Sequence, residues 1–256
     1  MSNRSQPNTD PVHSLDCAFP TVLVTGGSRG IGRAICLEFG RRGWRVGVHY
    51  RERRDEAGKT AAMIKDGGGE TALYQADIRH AGQVQAMVQD FVACWGRLDV
   101  LICNAGQAVS SLVLRLRPEQ WADVIETNLT GTFHCLRAAG PVMLAQREGS
   151  VLVVASFAGF QGRAGQAAYA ASKAGLLGLV KSVAREWGPH NVRINAVCPG
   201  WHQTGLSEAS LPGSDELAEH VLGRFVDLES VARSVCHLAL LRDASGQAWN
   251  LDSRIL

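Results

Sequence analysis

The sequence contains no long apolar run and no marked excess of charge of either sign. A membrane-spanning helix needs ~18 or more consecutive apolar residues, and no run in this chain reaches that length. The formal net charge is only +2, so there is no strongly basic field for nucleic acid and no acidic tail. We therefore expect neither a membrane nor a nucleic acid among its partners.

Ordered cysteine patterns are also missing. The seven cysteines are scattered and odd in number, and none forms a Cys-x-x-Cys or Cys/His spacing. This is typical of reduced thiols in a cytosolic protein, and it predicts no disulfide framework and no metal site. The polar N-terminus lacks the apolar core of a signal peptide, so we interpret residues 1–20 as a disordered leader. The expected location is the cytoplasm.

From Thr21 onward, short apolar runs alternate with segments of helical periodicity. Runs without polar interruption, such as Val151–Ala155, suit strands that are buried on both faces of a parallel sheet. The predicted fold is therefore α/β, a Rossmann-type doubly wound parallel sheet of about seven strands in a single domain over residues 21–256. The strand candidates are Thr21–Thr25, Val46–Tyr50, Thr71–Ala76, Leu98–Cys103, Ser150–Ala155, Val192–Val197 and Gln247–Leu251.

Helix signals fill the intervals between these strands. Apolar residues from Val84 to Trp95 recur at steps of three and four, which predicts one apolar helix face. Gly43 and Gly96 are predicted to end the helices that precede them. A further helix is predicted near Glu229–Leu241.

The first strand runs into a glycine-rich turn followed by a helix. Glycines let backbone N–H groups approach a pyrophosphate at the N-terminus of a helix. The position of this turn at the first strand–helix crossover predicts a dinucleotide site, whereas the alternative is an ordinary tight turn. The predicted cofactor contacts in this turn are Gly26, Ser28, Arg29, Gly30, Ile31 and Gly32.

No acidic residue stands at the end of the second strand. An NAD site usually places an acid there to bind the ribose 2′-hydroxyl, whereas a 2′-phosphate needs cations. The strand instead ends in His49-Tyr50-Arg51. We predict that Arg29 and Arg51 bind a 2′-phosphate, with Tyr50 beside them, and that the cofactor is NADPH rather than NAD. The alternative is that Arg51 belongs to a solvated basic stretch.

Tyr169 and Lys173 are four residues apart in an alanine-rich segment, so a helix would place both on one face. A cation ~4 Å from the phenol would lower the pKa of the tyrosine from about 10 by roughly three units before desolvation is counted. Ser156 follows the strand candidate Ser150–Ala155, where a hydroxyl would face the ligand crevice. The alternatives are a tyrosine packed beside a solvated lysine, and a serine that only caps a loop.

These residues together resemble the short-chain dehydrogenase/reductase family from Thr21 to about Leu251. The matching positions are the glycine turn, Asn104-Ala105-Gly106, Asn128, Ser156, Tyr169, Lys173 and Pro199-Gly200. The resemblance implies that Ser156 hydrogen-bonds the substrate carbonyl and Tyr169 donates the proton. It also implies that Lys173 binds the nicotinamide ribose and that Asn128 holds a water of a proton relay.

Further cofactor contacts are implied by the same resemblance. Asp77 and the adjacent Ile78 match the adenine contact, although Asp77 could instead cap the following helix. Asn104 and Ala105 would support the turn against the cofactor, and Gly106 would admit it closely. Pro199, Gly200 and Thr204 would lie near the nicotinamide or diphosphate, although Thr204 could be a simple turn former.

Within the family, the chain is most similar to 3-oxoacyl-(acyl-carrier-protein) reductases, for example in Ser28-Arg29 and Gln166–Tyr169. This implies a small-molecule ketone or acyl thioester as substrate, an acyl carrier protein as a partner, and a homotetramer formed by the Asn128 and Tyr169 helices. A substrate lid is expected over residues 201–224.

Two positions depart from that pattern. Arg147 matches one cation that grips a carrier protein, but the second matching position is nearer His190. The tail reads Asp252-Ser253-Arg254 where the family usually has Gly-Gly after the aspartate.

Other functions are compatible with the same core motifs. They would also serve a polyketide, sugar or quinone-like ketone, or an alcohol dehydrogenase working towards oxidation. A non-catalytic NADP-binding regulator is the non-enzymatic alternative, but such a protein would be expected to lack one of the catalytic residues.

Overall fold

A computed structural model of the chain describes residues 19–202 and 217–255. Its centre is a sheet of seven strands in the order β3-β2-β1-β4-β5-β6-β7, and every neighbouring pair is parallel. The predicted fold class is thereby confirmed. Most of the predicted leader, Thr204 and residues 203–216 of the predicted lid lie outside the described residues. The strands are β1 Thr21–Val24, β2 Arg45–Tyr50, β3 Thr71–Gln75, β4 Val100–Cys103, β5 Gly149–Val154, β6 Val192–Cys198 and β7 Ala248–Asn250.

Helices connect these strands and follow the predicted boundaries closely. Gly96 ends one helix with a left-handed backbone (φ 78°), and Gly43 follows another at φ 77°. Within the described ranges, no helix is both long and apolar enough to cross a bilayer. The helices are α1 Gly30–Arg41, α2 Arg54–Asp66, α3 Ala81–Trp95, α4 Pro118–Ile125, α5 Gly131–Gln146, α6 Ala158–Gln161, α7 Ala167–Trp187 and α8 Leu228–Leu240.

Both faces of the sheet are covered by helices. Leu23 of β1 belongs to the core formed with α3, α5 and α7. Its neighbours Val22 and Val24 point to the opposite core, formed with α1, α2 and α8. Two-sided burial explains why the strands read as nearly continuous apolar runs.

The strand order reverses between β1 and β4. The chain moves outward from β1 to β2 and β3, then returns to place β4 on the other side of β1. In an open parallel sheet, the loops on either side of such a reversal diverge and leave a crevice at the carboxyl edge. The glycine turn after β1 and the Asn104 loop after β4 border this crevice.

Phe91 anchors α3 to the sheet. Its buried ring lies 5.5 Å from the ring of Tyr74 and 4.8 Å from that of Trp95, measured between centroids. A Cβ placed at Gly47 in β2 would come within 2.6 Å of the Phe91 ring. The mid-strand glycine therefore leaves the space that this ring fills.

We expect Phe91→Ala to lower the free energy of unfolding by about 3–5 kcal/mol, because it removes a buried ring over a position with no side chain to fill the void. Met63→Ala on the exposed surface of α2 is the control and should change stability by no more than about 0.5 kcal/mol. Urea denaturation measures both. Equal effects of the two variants would contradict this packing role.

Candidate active site

Two adjoining cavities lie at the carboxyl edge of the sheet. One, of about 300 Å³, is bordered by the glycine turn and the ends of β2, β3 and β4. The other, of about 350 Å³, is bordered by the end of β5, the start of α7 and the C-terminal segment. Both are lined by Ile31, Asn104 and Gly106, so they form one continuous crevice.

The residues predicted to contact a cofactor are divided between these cavities. Pro199 and Gly200 line the larger one, whereas Thr204 lies outside the described residues. Gln107, Thr127 and His49 also line the smaller cavity and were not predicted. The predicted residues in the smaller cavity are Gly26, Ser28, Arg29, Gly30, Ile31, Gly32, Tyr50, Arg51, Asp77, Ile78, Asn104, Ala105 and Gly106.

The glycine turn has the shape that a phosphate group requires. Gly26 and Gly30 both have left-handed backbones (φ 66° and 55°), and a Cβ at Gly32 would overlap the carbonyl oxygen of Gly26. Helix α1 begins at Gly30 and carries no acidic residue in its first turn. Its unpaired N–H groups and positive dipole end therefore suit the pyrophosphate of a dinucleotide.

Asn104 fixes one side of the turn. Its amide nitrogen donates to the carbonyl oxygens of Thr25 (3.0 Å) and Gly26 (3.1 Å). In return, the Thr25 hydroxyl accepts from the backbone nitrogens of Asn104 (2.9 Å) and Ala105 (3.0 Å). These contacts join the loops after β1 and β4 across the strand reversal.

His49 fixes the other side of the turn and was not predicted to do so. Its Nδ1 accepts a hydrogen bond from the backbone N–H of Gly26 (3.0 Å). Nε2 therefore carries the proton and donates to the carbonyl of Ala76 at the end of β3 (3.0 Å). Burial lowers the pKa of His49 to about 4, so the ring is neutral at physiological pH. A polar residue within an otherwise apolar strand was the available signal in the sequence.

β2 contains no acidic residue, and a basic residue follows its last position. Arg51 follows the strand; its side chain is 40% exposed, and its guanidinium pairs with Glu52 at 2.9 Å. Because Glu52 is itself largely solvated, this surface pair is weak. Arg29 lines the same cavity. Arg29 and Arg51 thus border the same cavity, and their binding of a 2′-phosphate stays a prediction.

Asp77 does not cap the next helix, which was the alternative reading of its position. The N-cap of α3 is His80. Asp77 instead accepts hydrogen bonds from the backbone nitrogen of Arg79 (3.0 Å) and from its guanidinium (2.6 Å). The bonds from the Arg79 side chain are the main reason that the pKa of Asp77 falls to about 2. The residue lines the smaller cavity as a fixed, ionised group.

Ser156, Tyr169 and Lys173 come together in the larger cavity. Ser156 stands just after β5, and the other two are one turn apart near the start of α7. Lys173 is only 4% exposed, and its Nζ donates to the carbonyl oxygen of Val154 at 2.6 Å. The end of one strand, β5, and the start of one helix, α7, thus place a hydroxyl, a phenol and an ammonium around one space.

The pKa shift of Tyr169 is opposite in direction to the one expected from the sequence. Burial raises the pKa of Tyr169, and a hydrogen bond with Ser156 only partly offsets this effect. Lys173 lies 5.6 Å from the centre of the phenol ring and is drawn towards Val154. Burial also lowers the pKa of Lys173 to about 8. Tyr169 therefore keeps its proton at neutral pH.

Asn128 lies in a π-helical turn, Glu126–Thr130, that joins α4 to α5. Its Oδ1 accepts from the backbone nitrogen of Gln107 (2.8 Å), and its Nδ2 donates to the Gln107 carbonyl (2.9 Å). Nδ2 also donates to the hydroxyl of Ser172 (3.0 Å), which in turn donates to the backbone carbonyl of Tyr169 (2.7 Å). Asn128 therefore ties the loop after β4 to the helix of Tyr169. The sequence did not reveal Gln107 or Ser172.

Comparison with known proteins agrees with this arrangement. A family model described as short chain dehydrogenase matches residues 20–214. A 3-oxoacyl-(acyl-carrier-protein) reductase FabG of Staphylococcus aureus is 40% identical over 224 residues, which cover 86% of this chain and 90% of that protein. A 3-oxoacyl-(acyl-carrier-protein) reductase of Synechocystis is 38% identical over 233 residues, covering 90% and 94%.

Among solved structures, an actinorhodin polyketide ketoreductase variant crystallised with NADPH is similar to this chain. The TM-score is 0.83 at 32% sequence identity, and the match covers 92% of this chain and 96% of that one. The chain belongs to the short-chain dehydrogenase family. It is an NAD(P)-dependent oxidoreductase.

The buried, neutral His49 predicts a pH-dependent part of the stability. An unfolded histidine takes up a proton near pH 6.5, but folded His49 does so only near pH 4. Its contribution is therefore intact above pH 6.5 and is lost as the pH falls towards 4. Each pKa unit corresponds to about 1.4 kcal/mol. We therefore expect that His49 makes the free energy of unfolding of the wild type about 2 kcal/mol lower at pH 5 than at pH 7.

The variant His49→Asn can still accept from Gly26 but does not titrate, so its loss over this range should be smaller by that amount. Urea denaturation at the two pH values measures the difference. His190→Asn, at an exposed position, is the matched control and should show the wild-type loss. Identical pH dependence of wild type and His49→Asn would contradict the assignment.

Proposed function

We propose that this protein uses NADPH to reduce the ketone of a 3-oxoacyl thioester to a hydroxyl group. The observation that carries the proposal is the convergence of Ser156, Tyr169 and Lys173 in a cavity that is continuous with the one bordered by the glycine turn. Relatives named as 3-oxoacyl-(acyl-carrier-protein) reductases support the substrate, and the ketoreductase crystallised with NADPH supports the cofactor.

In this proposal, NADPH supplies the hydride that reaches the carbonyl carbon. Ser156 donates a hydrogen bond to the carbonyl oxygen and holds it beside the phenol of Tyr169. Tyr169 donates the proton, and the raised pKa keeps this group in the acid form before reaction. Lys173, cationic at neutral pH, binds the nicotinamide ribose and stabilises the phenolate that proton donation leaves.

The proton is then replaced through a relay that involves Lys173 and Asn128. Both amide atoms of Asn128 are already engaged with Gln107 and Ser172. A Cβ at Gly106 would lie 3.1 Å from Asn128 Oδ1 and 3.8 Å from Lys173 Nζ, so all three groups adjoin. Asn128 therefore acts by positioning the loop and helix that border the lysine, and water completes the path to solvent.

The remaining proposed cofactor contacts are divided between the two cavities. The glycine turn binds the pyrophosphate, and Arg29 and Arg51 bind the 2′-phosphate. Asp77 and Ile78 border the adenine. Loop residues Asn104, Ala105 and Gly106 support the nicotinamide half, together with Pro199 and Gly200 of the larger cavity. Thr204, the remaining predicted contact, lies outside the described residues.

An acyl carrier protein is the proposed donor of the thioester. The exposed Arg147 and the segment that contains His190 lie side by side, since Asn191 Nδ2 donates to the Arg147 carbonyl at 3.1 Å. An acidic carrier protein could dock on this paired surface.

We also propose that the protein is cytoplasmic and forms a homotetramer. The apolar surface for the tetramer includes Trp121 on α4 and Phe133 on α5, each of which leaves more than two fifths of its surface exposed.

A polyketide-like ketone is the second candidate substrate. The larger cavity has aromatic walls, with the rings of Trp201 and Phe225 only 5.2 Å apart. Flat, conjugated substrates pack well against such rings. The similarity to an actinorhodin polyketide ketoreductase supports this candidate.

The test of the cofactor and substrate is oxidation of NADPH and NADH by purified protein with acetoacetyl-CoA. We expect turnover with preference for NADPH. Arg51→Gln should raise the KM for NADPH about 10- to 100-fold, as expected for loss of a charge-assisted contact, with little change for NADH. Arg41→Gln, in a surface pair with Glu38, is the control. Equal use of both cofactors would contradict the phosphate site, and absence of NADPH binding would contradict the proposal.

Tyr169→Phe removes the proposed proton donor and little else. General acid catalysis contributes about 10²- to 10⁴-fold, so we expect turnover to fall by at least that factor while NADPH still binds. Fluorescence titration measures the binding. The matched control is Tyr74→Phe. Tyr74 lies in β3 and packs against the rings of Phe91 and Trp95 in α3, so this variant should retain turnover. Wild-type turnover by Tyr169→Phe would reject the mechanism.

A further inference from the structure

An arginine of the C-terminal tail reaches into the catalytic cavity. Arg254 lines the same space as Ser156 and Tyr169, and its side chain is only 12% exposed. Its guanidinium carbon lies 4.0 Å from the centre of the Phe157 ring, and Phe157 directly follows Ser156. This cation stands where the tail departs from the family pattern of two glycines.

The guanidinium is held in place by a buried carboxylate. Asp252 has no exposed side-chain surface, and its Oδ2 accepts from both Nε (2.9 Å) and Nη2 (2.6 Å) of Arg254. Its Oδ1 accepts from the backbone nitrogen of Arg254 (2.9 Å) and from Asn250 (3.1 Å). Burial would raise the pKa of Asp252, but the hydrogen bonds from Arg254 outweigh it and the net shift is downward. The pair is therefore ionised and rigid.

One edge of the guanidinium remains available to a ligand. Nε and Nη2 turn to Asp252, whereas Nη1 has no hydrogen-bond partner in the part of the chain that the structure describes. A substrate oxygen in the cavity that accepts from this charged donor would gain a charge-assisted hydrogen bond. Because Asp252 already balances the charge of Arg254, the site suits a neutral oxygen better than an anion.

We propose that Arg254 binds the second oxygen of the substrate, the thioester carbonyl of a 3-oxoacyl group whose ketone lies at Ser156 and Tyr169. This inference rests on the proposed function and deepens it. Arg254, which lies outside the catalytic motifs, selects substrates that carry two carbonyl groups. The stacking on Phe157 fixes the plane of the guanidinium, so its donors point in a set direction.

The experiment compares wild type with Arg254→Lys, in which an ammonium can still pair with Asp252 but offers no second nitrogen to the cavity. We expect the ratio of kcat/KM for acetoacetyl-CoA to that for the monoketone 4-phenyl-2-butanone to fall about 10- to 100-fold. The Kd of acetoacetyl-CoA, measured by calorimetry with NADP⁺ present, should rise by about the same factor. The affinity for NADPH should not change. Arg233→Lys, in an exposed pair with Glu229, is the matched control.

A second variant guards against misfolding. Asp252→Asn combined with Arg254→Met removes both charges together, leaves no unpaired buried carboxylate, and should lower the same ratio. If wild type reduces acetoacetyl-CoA and both variants keep its ratio and Kd, the role of Arg254 is overturned and the proposed function stands. If wild type neither binds nor reduces acetoacetyl-CoA, the proposed thioester substrate and this inference both fail.

Discussion

Burial of the parallel sheet on both faces is the constraint on which the rest of the molecule depends. With helices on either side, a polar side chain within a strand must find a partner inside the protein, as His49 does with Gly26 and Ala76. Polar chemistry is therefore concentrated at the carboxyl edge, where strands end and loops diverge. The reversal between β1 and β4 opens that edge, and Asn104 and Thr25 hold it at a fixed width.

The same burial governs the charges of the candidate site. Lys173 loses most of its solvent and recovers one strong hydrogen bond from the carbonyl of Val154, so its charge is held towards β5. The phenol of Tyr169 is desolvated as well, and this effect exceeds any benefit from the distant ammonium. Sequence spacing correctly placed the two side chains on one helix face. The sequence could not show whether the charge of Lys173 or the loss of solvent would dominate the pKa of Tyr169, because that balance depends on neighbours from other strands.

Much of the fold was accessible from the sequence because it follows from local patterns. Apolar runs located all seven strands to within a few residues, and Gly96 marked a helix end through its left-handed backbone. The predicted residues of the glycine turn meet Ser156, Tyr169 and Lys173 in one crevice. Asn128 does not line this crevice and hydrogen-bonds Gln107 and Ser172 instead. The partners that hold them escaped prediction, because Gln107, Ser172 and the ring of His49 act through long-range hydrogen bonds. Neither sequence spacing nor resemblance indicated that Arg254 would turn back over Phe157.

The π-helical turn that carries Asn128 has a consequence for how this gene can change. A π turn holds one more residue than an α-helical turn, and here that extra residue is accommodated between two α-helices. Deletion of a single codon in this stretch would leave a regular α-helix with α4 and α5 in nearly their present relative orientation, but it would remove the wide turn that aims the Asn128 amide at Gln107 and Ser172. Point substitutions can accumulate around Asn128, but we expect natural insertions and deletions to be excluded from the stretch between α4 and α5.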